Sequence, residues 1–298
     1  MSELRVLVTG SAGLIGAPLL ELLRDRSIEA HGVSRTASTD SLTHRADLSV
    51  PEETADLLAR LKPSVIVHLA GGPERDLERL YESNVLTTVN LLQAAARLES
   101  PPAFITAGSA AEYGEPAGGL ASESAPARPV TEYGRAKLAA SALAQGLSAS
   151  SGIRLCIVRP FNIVSPYLPS TTALGNMREQ LLAQTGTPRV VRCGKLDIVR
   201  DFVPLQFVVD VFSRLLDLDE WPRILNACSG IGIELGTVLR ATAEYLDVEV
   251  RVIPVPELMG IPAAAQIVGD ASLLHKLGLH CEPTAASVGR SLLEEGVC

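Results

Sequence analysis

The sequence has fewer basic than acidic side chains and no long apolar run, and each feature argues against a class of protein. Lysine occurs only four times among 298 residues, and the formal net charge is −8. This balance argues against nucleic-acid and anionic-membrane partners. No apolar run reaches the ~18 residues of a membrane-spanning helix, and residues 4–8 are too short to form the core of a signal peptide. We therefore expect a cytoplasmic protein without a membrane partner.

Paired cysteines and clustered histidines are also missing. The five cysteines are scattered and contain no C-x-x-C pair, and the five histidines share no spacing. A disulfide framework needs an even set of cysteines, and a zinc site needs closely spaced ligands. We expect reduced cysteines and no metal site.

A glycine-rich turn near the start of the chain is its most informative segment. Aliphatic residues at 4–8 lead through Thr9 into Gly10, Gly13 and Gly16, and an apolar helical pattern follows at once. A strand, a glycine turn and a helix in this order predict a dinucleotide site, because backbone N–H groups and the helix N-terminus face the pyrophosphate. The spacing is G-x-x-G-x-x-G, and the alternative is an ordinary turn of another α/β protein.

Strand and helix patterns alternate along the first 160 residues. Apolar segments at residues 28–33, 64–69, 104–106 and 153–158 are separated by helical patterns at residues 51–61, 77–98 and 132–148. This alternation predicts an α/β, Rossmann-type, doubly wound parallel sheet. We expect a dinucleotide-binding domain at 1–160 and a smaller, mainly substrate-binding α/β region at 161–298, with some later strands returning to the first sheet. The Gly- and Pro-rich residues 114–130 are predicted to be loop.

A tyrosine and a lysine lie four residues apart in the third of these helical patterns. On one helix face, the Lys137 ammonium would lower the pKa of the Tyr133 phenol, so that the phenol can exchange a proton with a substrate oxygen near neutral pH. Ser109, at the end of a predicted strand, can hydrogen-bond the same oxygen. The alternative is a chance pair on a surface helix.

The end of the second predicted strand indicates the cofactor. NAD-specific sites place a carboxylate there to bind the ribose 2′-hydroxyl, and that carboxylate repels a 2′-phosphate. Here the strand ends in Ser34 and Arg35, which offer a hydroxyl and a guanidinium. These residues predict NADP(H) rather than NAD(H). The alternative is that Arg35 only stacks on the adenine.

Segments throughout the chain resemble the extended short-chain dehydrogenase/reductases that modify nucleotide sugars, the NAD-dependent epimerase/dehydratase family. The matching segments are residues 9–16, 47–48, 68–71, 84–95, 108–114, 133–137, 159–162, 200–202 and 226–230. The resemblance implies a Rossmann fold, a nicotinamide cofactor and a nucleotide-sugar substrate. It also implies a homodimer in which residues 77–98 and 132–148 pair across a two-fold axis.

The resemblance assigns roles to individual residues. Ser109, Tyr133 and Lys137 would be catalytic, and Ser109, Ala110, Asn162 and Arg200 would bind substrate, the last two at its diphosphate. For Arg200 the alternative is a surface ion pair. Together with the glycine turn and the second strand, the predicted cofactor residues are Gly10, Ala12, Gly13, Leu14, Ile15, Gly16, Ser34, Arg35, Asp47, Leu48, Leu69, Ala70, Gly71, Asn84, Tyr133, Lys137 and Pro160.

Residues 108–114, 159–162, 194–197, 200–202 and 226–230 resemble the corresponding segments of GDP-4-keto-6-deoxy-D-mannose reductases and their relatives. Dehydratases and decarboxylases carry an acid soon after the catalytic Ser or Thr, whereas here Ala110 and Ala111 follow Ser109, and Glu112 matches an ordinary position. Three departures from the reductases leave the nucleotide and the sugar open: Ser165-Pro166 replaces Gly-Pro, residues 203–206 lack the usual Asp, and Ile261 stands where an arginine is expected.

These observations predict an NADPH-dependent 4-ketoreductase acting on a nucleotide-linked 4-keto-6-deoxyhexose. The first alternative is a nucleotide-sugar 4-epimerase that uses the same residues and retains NAD. The second is a dinucleotide-sensing regulator without catalytic activity, although such sensors usually lose the tyrosine or the lysine.

Overall fold

The computed structural model describes residues 4–36, 38–259 and 264–295. Their strands are β1 (Arg5–Thr9), β2 (Glu29–Ser34), β3 (Thr43–Arg45), β4 (Val65–His68), β5 (Ala103–Ala107), β6 (Leu120–Ala121), β7 (Leu155–Pro160), β8 (Asn162–Val164), β9 (Arg189–Cys193), β10 (Val199–Pro204), β11 (Ile224–Ala227), β12 (Gly232–Glu234), β13 (Val250–Pro254) and β14 (Gln266–Gly269). Their α-helices are α1 (Gly16–Asp25), α2 (Pro51–Leu61), α3 (Leu77–Tyr81), α4 (Thr87–Ala95), α5 (Glu132–Ser151), α6 (Ala173–Leu182), α7 (Leu205–Leu215), α8 (Leu235–Tyr245), α9 (Pro256–Met259), α10 (Ser272–Lys276) and α11 (Ala285–Ser291).

The chain divides into two units, each built from several segments. The first unit contains Met1–Glu112, Thr131–Arg159 and Val209–Leu225, and the second contains Tyr113–Val130, Pro160–Val208 and Asn226–Cys298.

The first unit is built on a seven-stranded sheet in the order β11-β7-β5-β4-β1-β2-β3. The strand pairs from β7 to β3 are parallel, which confirms the predicted doubly wound α/β fold. Strands such as Val6–Val8 are fully buried because helices cover both faces of such a sheet. One cluster of the core joins Leu7 and Ile66 of the sheet to Leu58 of α2, Leu91 of α4 and Ala144 of α5.

The second unit contains a five-stranded sheet and a strand pair. The order is β12-β10-β14-β6 with β8 also paired to β10, and β13 pairs with β9. The outer edge of β9 is covered by α6 and the residues that follow it: the side-chain amides of Gln180 in α6 and Gln184 after it each donate to and accept from the β9 backbone, at Arg192 and Val190. These bonds satisfy backbone N–H and C=O groups at the edge of β9 that could otherwise pair with a strand of another chain.

The predicted elements differ from the structure mainly where strands are very short. The structure adds β3, β6, β8, β12 and β14, each of two to four residues, so residues 114–130 are not loop throughout. Strands of this length carry too few residues to show periodicity. The predicted helix at 77–98 consists of α3, a π-helical turn at Glu82–Leu86, and α4.

Candidate active site

The glycine turn joins β1 to α1 in a backbone geometry that excludes side chains. Gly10 has φ +63°, and a Cβ there would lie 2.8 Å from the carbonyl carbon of Leu69. A Cβ at Gly16 would lie 2.2 Å from the Gly10 oxygen. Both distances are too short for a carbon side chain, so the turn and the close start of α1 depend on these glycines.

A cavity of about 430 Å³ opens beside this turn. Nine of the predicted cofactor residues line it: Gly10, Ala12, Gly13, Ser34, Arg35, Asp47, Leu48, Ala70 and Gly71. Residues that the sequence analysis did not select also line it, among them Ser11, Val33, Ala46, Ser49, Glu74, Glu82 and Thr87. The cavity runs from the glycine turn past the end of β2, as a dinucleotide requires.

The remaining predicted cofactor residues do not line this cavity. Leu14 and Ile15 lie in the turn before α1, and Gly16 begins that helix. The Leu69 N–H donates to the Thr9 hydroxyl at 3.1 Å. Pro160 ends β7 and belongs to the second unit.

A buried hydrogen-bond network centred on His68 connects three segments around the cavity. Thr9 Oγ1 accepts the Leu69 and Ala70 N–H groups and lies 2.7 Å from His68 Nδ1, so its own proton is donated to that nitrogen. His68 Nε2 then donates to Thr88 Oγ1 at 3.0 Å. Burial, with a smaller contribution from Lys137, lowers the pKa of His68 to about 3, so the ring is neutral. This role of His68 was not predicted, because the position of a single histidine in a sequence does not show which groups it will bond to.

Asn84 lies in the π-helical turn between α3 and α4 and is almost fully buried. Its Nδ2 donates to the carbonyls of Gly72 and Leu80, at 2.9 and 2.8 Å. Its Oδ1 is the one buried side-chain polar atom in the described part of the chain without a hydrogen-bond partner. A π turn and an unsatisfied buried oxygen are both typical of functional sites.

Helix α5 places Tyr133 and Lys137 on one face. The Thr131 side chain caps the helix by accepting the Gly134 N–H at 3.1 Å, so Tyr133 lies in its first turn. The Lys137 Nζ lies 5.9 Å from the centre of the Tyr133 ring and donates to the Ala107 carbonyl at 3.1 Å. Tyr133 is also hydrogen-bonded to the Ser109 side chain. The structure thus brings the three predicted catalytic side chains together.

The direction of the Tyr133 pKa differs from the sequence-based expectation. Burial raises the pKa of Tyr133 to about 12, and the Ser109 hydrogen bond lowers it only in part. Burial also lowers the pKa of Lys137 to about 8. Desolvation therefore outweighs the predicted effect of the ammonium on the phenol, and Tyr133 is protonated at neutral pH.

Ser109 follows β5 and is held by the short 3-10 turn Ala110–Glu112. Its Oγ accepts the Ala111 N–H at 3.1 Å, and its own N–H donates to Glu112 Oε1 at 2.9 Å. Glu112 is fully buried and pairs with Arg159, which is also buried. Neither of these charged residues was selected from the sequence, because an ion pair between residues 47 positions apart leaves no local pattern.

The two predicted diphosphate residues lie in the second unit. Asn162 donates through Nδ2 to the Asp201 carbonyl at 2.8 Å. Arg200 is partly exposed and donates to the carbonyls of Val199 and Ala264, both at 2.8 Å, so backbone contacts hold its guanidinium. Ala110 is buried in the first unit. Ile261, noted as a departure from the reductases, lies outside the described residues.

The carboxylate next to Arg200 has a structural role. Buried Asp201 accepts hydrogen bonds from the N–H and hydroxyl of Ser229 and from the N–H groups of Gly230 and Gly269. These bonds connect β10 to the segment after β11 and to β14. The two segments Arg200-Asp201-Phe202 and Asn226–Gly230 are thus joined by hydrogen bonds in the structure.

No group of three or more His, Cys, Asp or Glu side chains among the described residues is arranged to hold a metal ion. No described helix is both long enough and apolar enough to cross a bilayer.

Comparisons with known proteins agree with this architecture. The chain is 29% identical over 281 residues to a GDP-6-deoxy-D-mannose reductase of Pseudomonas aeruginosa, covering 91% of this chain and 90% of that protein. It is 30% identical over 267 residues to a dTDP-6-deoxy-L-talose 4-dehydrogenase (NAD(P)(+)) of Kitasatospora kifunensis, covering 86% and 84%. The solved structure of RMD from Pseudomonas aeruginosa, complexed with NADPH, is similar with a TM-score of 0.81 and 26% identity, covering 97% of each chain.

A family model described as the NAD dependent epimerase/dehydratase family matches residues 6–228. This range includes the glycine turn, Asn84, Ser109, Tyr133 and Lys137. The chain therefore belongs to the NAD dependent epimerase/dehydratase family, the extended short-chain dehydrogenase/reductases.

Proposed function

We propose that this protein is an NADPH-dependent 4-ketoreductase that converts a nucleotide-linked 4-keto-6-deoxyhexose to the 6-deoxyhexose. The observation that carries the proposal is the grouping of Ser109, Tyr133 and Lys137 with Ala110 and Ala111 directly after the serine. The P. aeruginosa and K. kifunensis relatives, named as a reductase and a 4-dehydrogenase of 6-deoxy nucleotide sugars, support this reaction class.

The residues around the glycine turn fit a nicotinamide dinucleotide. The cavity beside the turn is lined by the exposed residues Ala12 and Gly13 at one end and by Ser34 and Arg35 at the end of β2. The unsatisfied Asn84 Oδ1 offers one further acceptor. We assign the 2′-phosphate to Ser34 and Arg35, and the nicotinamide ribose to Lys137. The NADPH complex of the similar RMD structure supports this choice of cofactor.

The reaction needs a hydride at carbon 4 and a proton at the oxygen on that carbon. When bound, the reduced nicotinamide supplies the hydride. Tyr133 donates its phenolic proton to the oxygen, and water then reprotonates the phenolate. Ser109 donates a hydrogen bond to the same oxygen and stabilises its developing charge. Because burial keeps the pKa of Tyr133 high, the phenol is in the acid form that reduction requires.

The same geometry argues against dehydration. Elimination of water needs a second group that can move a proton beside the catalytic serine. Ala110 and Ala111 cannot do this, and the Glu112 carboxylate is buried between Arg159 and the Ser109 N–H. We therefore expect no 4-keto-6-deoxy product from GDP-mannose or dTDP-glucose alone.

The substrate's diphosphate is assigned to Asn162 and Arg200, following the resemblance to the family. Arg200 keeps some exposure although two of its N–H groups bind backbone carbonyls. A guanidinium already fixed in this way loses little side-chain entropy when it binds a phosphate. The nucleotide base is not assigned.

A panel of GDP- and dTDP-linked 4-keto-6-deoxyhexoses, assayed for NADPH oxidation, tests the proposal. We expect stoichiometric oxidation of NADPH with at least one of them and formation of the corresponding alcohol. Tightly retained oxidised NAD in the purified protein, with interconversion of nucleotide sugars and no net NADPH consumption, would instead identify a 4-epimerase. Absence of both activities would refute an enzymatic role at this site.

A further inference from the structure

Glu112 occupies an unusual place for a carboxylate. It ends the 3-10 turn after Ser109 and has no exposed surface. Its Oε2 accepts two hydrogen bonds from Arg159, from Nε at 3.0 Å and Nη2 at 2.7 Å, and its Oε1 accepts the Ser109 N–H at 2.9 Å. The carboxylate thus connects a candidate catalytic serine to a buried cation.

The backbone makes room for this carboxylate. A Cβ at Gly108 would lie 2.4 Å from Glu112 Oε1, so no larger residue fits before the serine without displacing the carboxylate. The turn is closed a second time by the Glu112 N–H, which donates to the Ser109 carbonyl at 3.1 Å. Gly108, Ser109 and Glu112 therefore form one local unit, in which the glutamate fixes the backbone direction of the serine.

Glu112 and Lys137 meet at neighbouring residues of one segment: Lys137 Nζ donates to the Ala107 carbonyl, and a Cβ on the next residue, Gly108, would lie 2.4 Å from Glu112 Oε1. The charge of Glu112 raises the pKa of Lys137 and of Tyr133, against the lowering of the Lys137 pKa by burial. Lys137 also interacts electrostatically with His68 of β4. The His68 ring is neutral because its pKa is about 3, so it carries no charge that would act on Lys137. Among these described groups, Glu112 is the carboxylate that favours a charged Lys137.

We propose that Glu112 is a positioning residue of the active site: its buried carboxylate orients Ser109 through the backbone and places a negative charge near the Lys137 ammonium, which would bind the cofactor ribose. The role of Lys137 in this statement rests on the proposed function. Glu112 itself contacts no substrate and transfers no proton, because Arg159 and the Ser109 N–H hold its two oxygens.

Stability alone does not require a charged pair at this position. Replacing a buried ion pair by neutral residues of similar volume is often neutral or stabilising, whereas removing one partner is strongly destabilising. The double substitution Glu112→Gln with Arg159→Gln therefore accompanies the single variant, because it removes the carboxylate without leaving Arg159 as an unpaired buried cation. Glutamine at 112 also retains an oxygen that can accept the Ser109 N–H.

The experiment measures the affinity of the full-length protein for NADH between pH 6 and 9.5 by cofactor fluorescence. NADH is the probe because it has no 2′-phosphate, whose own ionisation falls near pH 6. The variants are Glu112→Gln and Glu112→Gln/Arg159→Gln. Glu132→Gln is the matched control, since it removes one carboxylate next to Tyr133 in sequence at an exposed position. Circular dichroism establishes that each variant is folded.

In the wild type, affinity should fall as the pH rises through about 8, where Lys137 loses its proton. In folded Glu112→Gln this midpoint should move down by about one pH unit, and in the double variant, which also removes the Arg159 charge, it should move down by less, with affinity at pH 6 retained and the control unchanged. Turnover with a sugar substrate should fall further than affinity, because Ser109 is less firmly held.

Two results would overturn the inference. One is an unchanged midpoint in a folded Glu112 variant. The other is failure of both Glu112 variants to fold, which would make the ion pair a structural element only. Absence of turnover with every nucleotide sugar would contradict the proposed function and leave the NADH measurement to decide the role of Glu112.

Discussion

Tyr133 shows how burial alone can set the protonation state of a reacting side chain. The phenol is held protonated at neutral pH, with Ser109 as its hydrogen-bond partner. Replacing Tyr133 by Phe removes the proton and keeps the ring. Cofactor affinity should therefore survive, while kcat should fall by roughly 10²–10⁴, the usual effect of losing a general acid. Tyr245→Phe, at an exposed tyrosine, is the control; wild-type turnover in Tyr133→Phe would refute the assignment.

Lys137 should make stability depend on pH in a predictable direction. Its folded pKa is about 8, below the ordinary value of 10.5. Below pH 8 Lys137 is charged in the folded protein, and the cost of burying this charge lowers the free energy of unfolding. Between pH 8 and 10.5 the lysine is neutral in the folded protein but still protonated in the unfolded chain, so the free energy of unfolding increases as the pH rises. Lys137→Met removes this dependence. Relative to the wild type, the free energy of unfolding of the variant should decline by about 3 kcal/mol from pH 7 to 10.5. Urea unfolding of both proteins measures this difference, and a difference that stays constant with pH would contradict the prediction.

Arg35 tests the preference for a phosphorylated cofactor. It lines the cavity at the end of β2, next to Ser34. If its guanidinium binds the 2′-phosphate, Arg35→Ala should weaken NADPH binding by about tenfold or more and leave NADH nearly unchanged. Fluorescence titration with both cofactors measures the ratio. Equal affinities of the wild type for NADPH and NADH, or an equal loss for both in the variant, would contradict the assignment and favour stacking on the adenine.

At the scale of elements, the contact between the glycine turn and α1 leaves no space for a methyl group. Gly16→Ala would force a Cβ to within 2.2 Å of the Gly10 oxygen, so α1 or the turn must shift. We expect a loss of about 1–3 kcal/mol of stability together with weaker cofactor binding.

Gly146 of α5 is the matched control for that substitution. Nothing lies within 4 Å of a Cβ at this position, so Gly146→Ala should stabilise the protein by about 0.5–1 kcal/mol through helix propensity. Thermal unfolding and cofactor titration of the two variants provide the comparison. Equal changes in thermal stability and cofactor affinity in the two variants would show that the close contact at Gly16 does not exclude a methyl group.

The long helical pattern at residues 77–98 shows what local sequence can and cannot reveal about an element. Apolar spacing predicts the helix correctly, but the π turn at Glu82–Leu86 was not predicted. The turn places Asn84 where its amide reaches Gly72 and Leu80. Such a turn is stabilised by contacts with a distant loop, and hydrophobic periodicity does not record those contacts.

At the scale of the whole molecule, the open question is assembly. Leu77, Leu86 and Leu143 are 55%, 40% and 44% exposed on the helical segments for which the family resemblance implies pairing. We propose a homodimer through these helices, since isologous pairing is the commonest way to cover such surface. Light scattering should show a dimer for wild type and a monomer for Leu143→Glu. Leu182→Glu, at a leucine 54% exposed on α6, should remain dimeric; a monomeric wild type at micromolar concentration would end the proposal.

The sequence by itself determined the fold class, the glycine turn and the candidate residues Ser109, Tyr133 and Lys137. Each of these is recorded locally: buried parallel strands are continuously apolar, the turn needs glycine at fixed spacing, and a tyrosine and a lysine four positions apart share a helix face. Only the tertiary structure decided the protonation states, because desolvation depends on everything packed around a group. It likewise decided the Glu112–Arg159 pair, the neutral His68 network and the four bonds to Asp201, since buried charges and polar groups find partners that are distant in the chain.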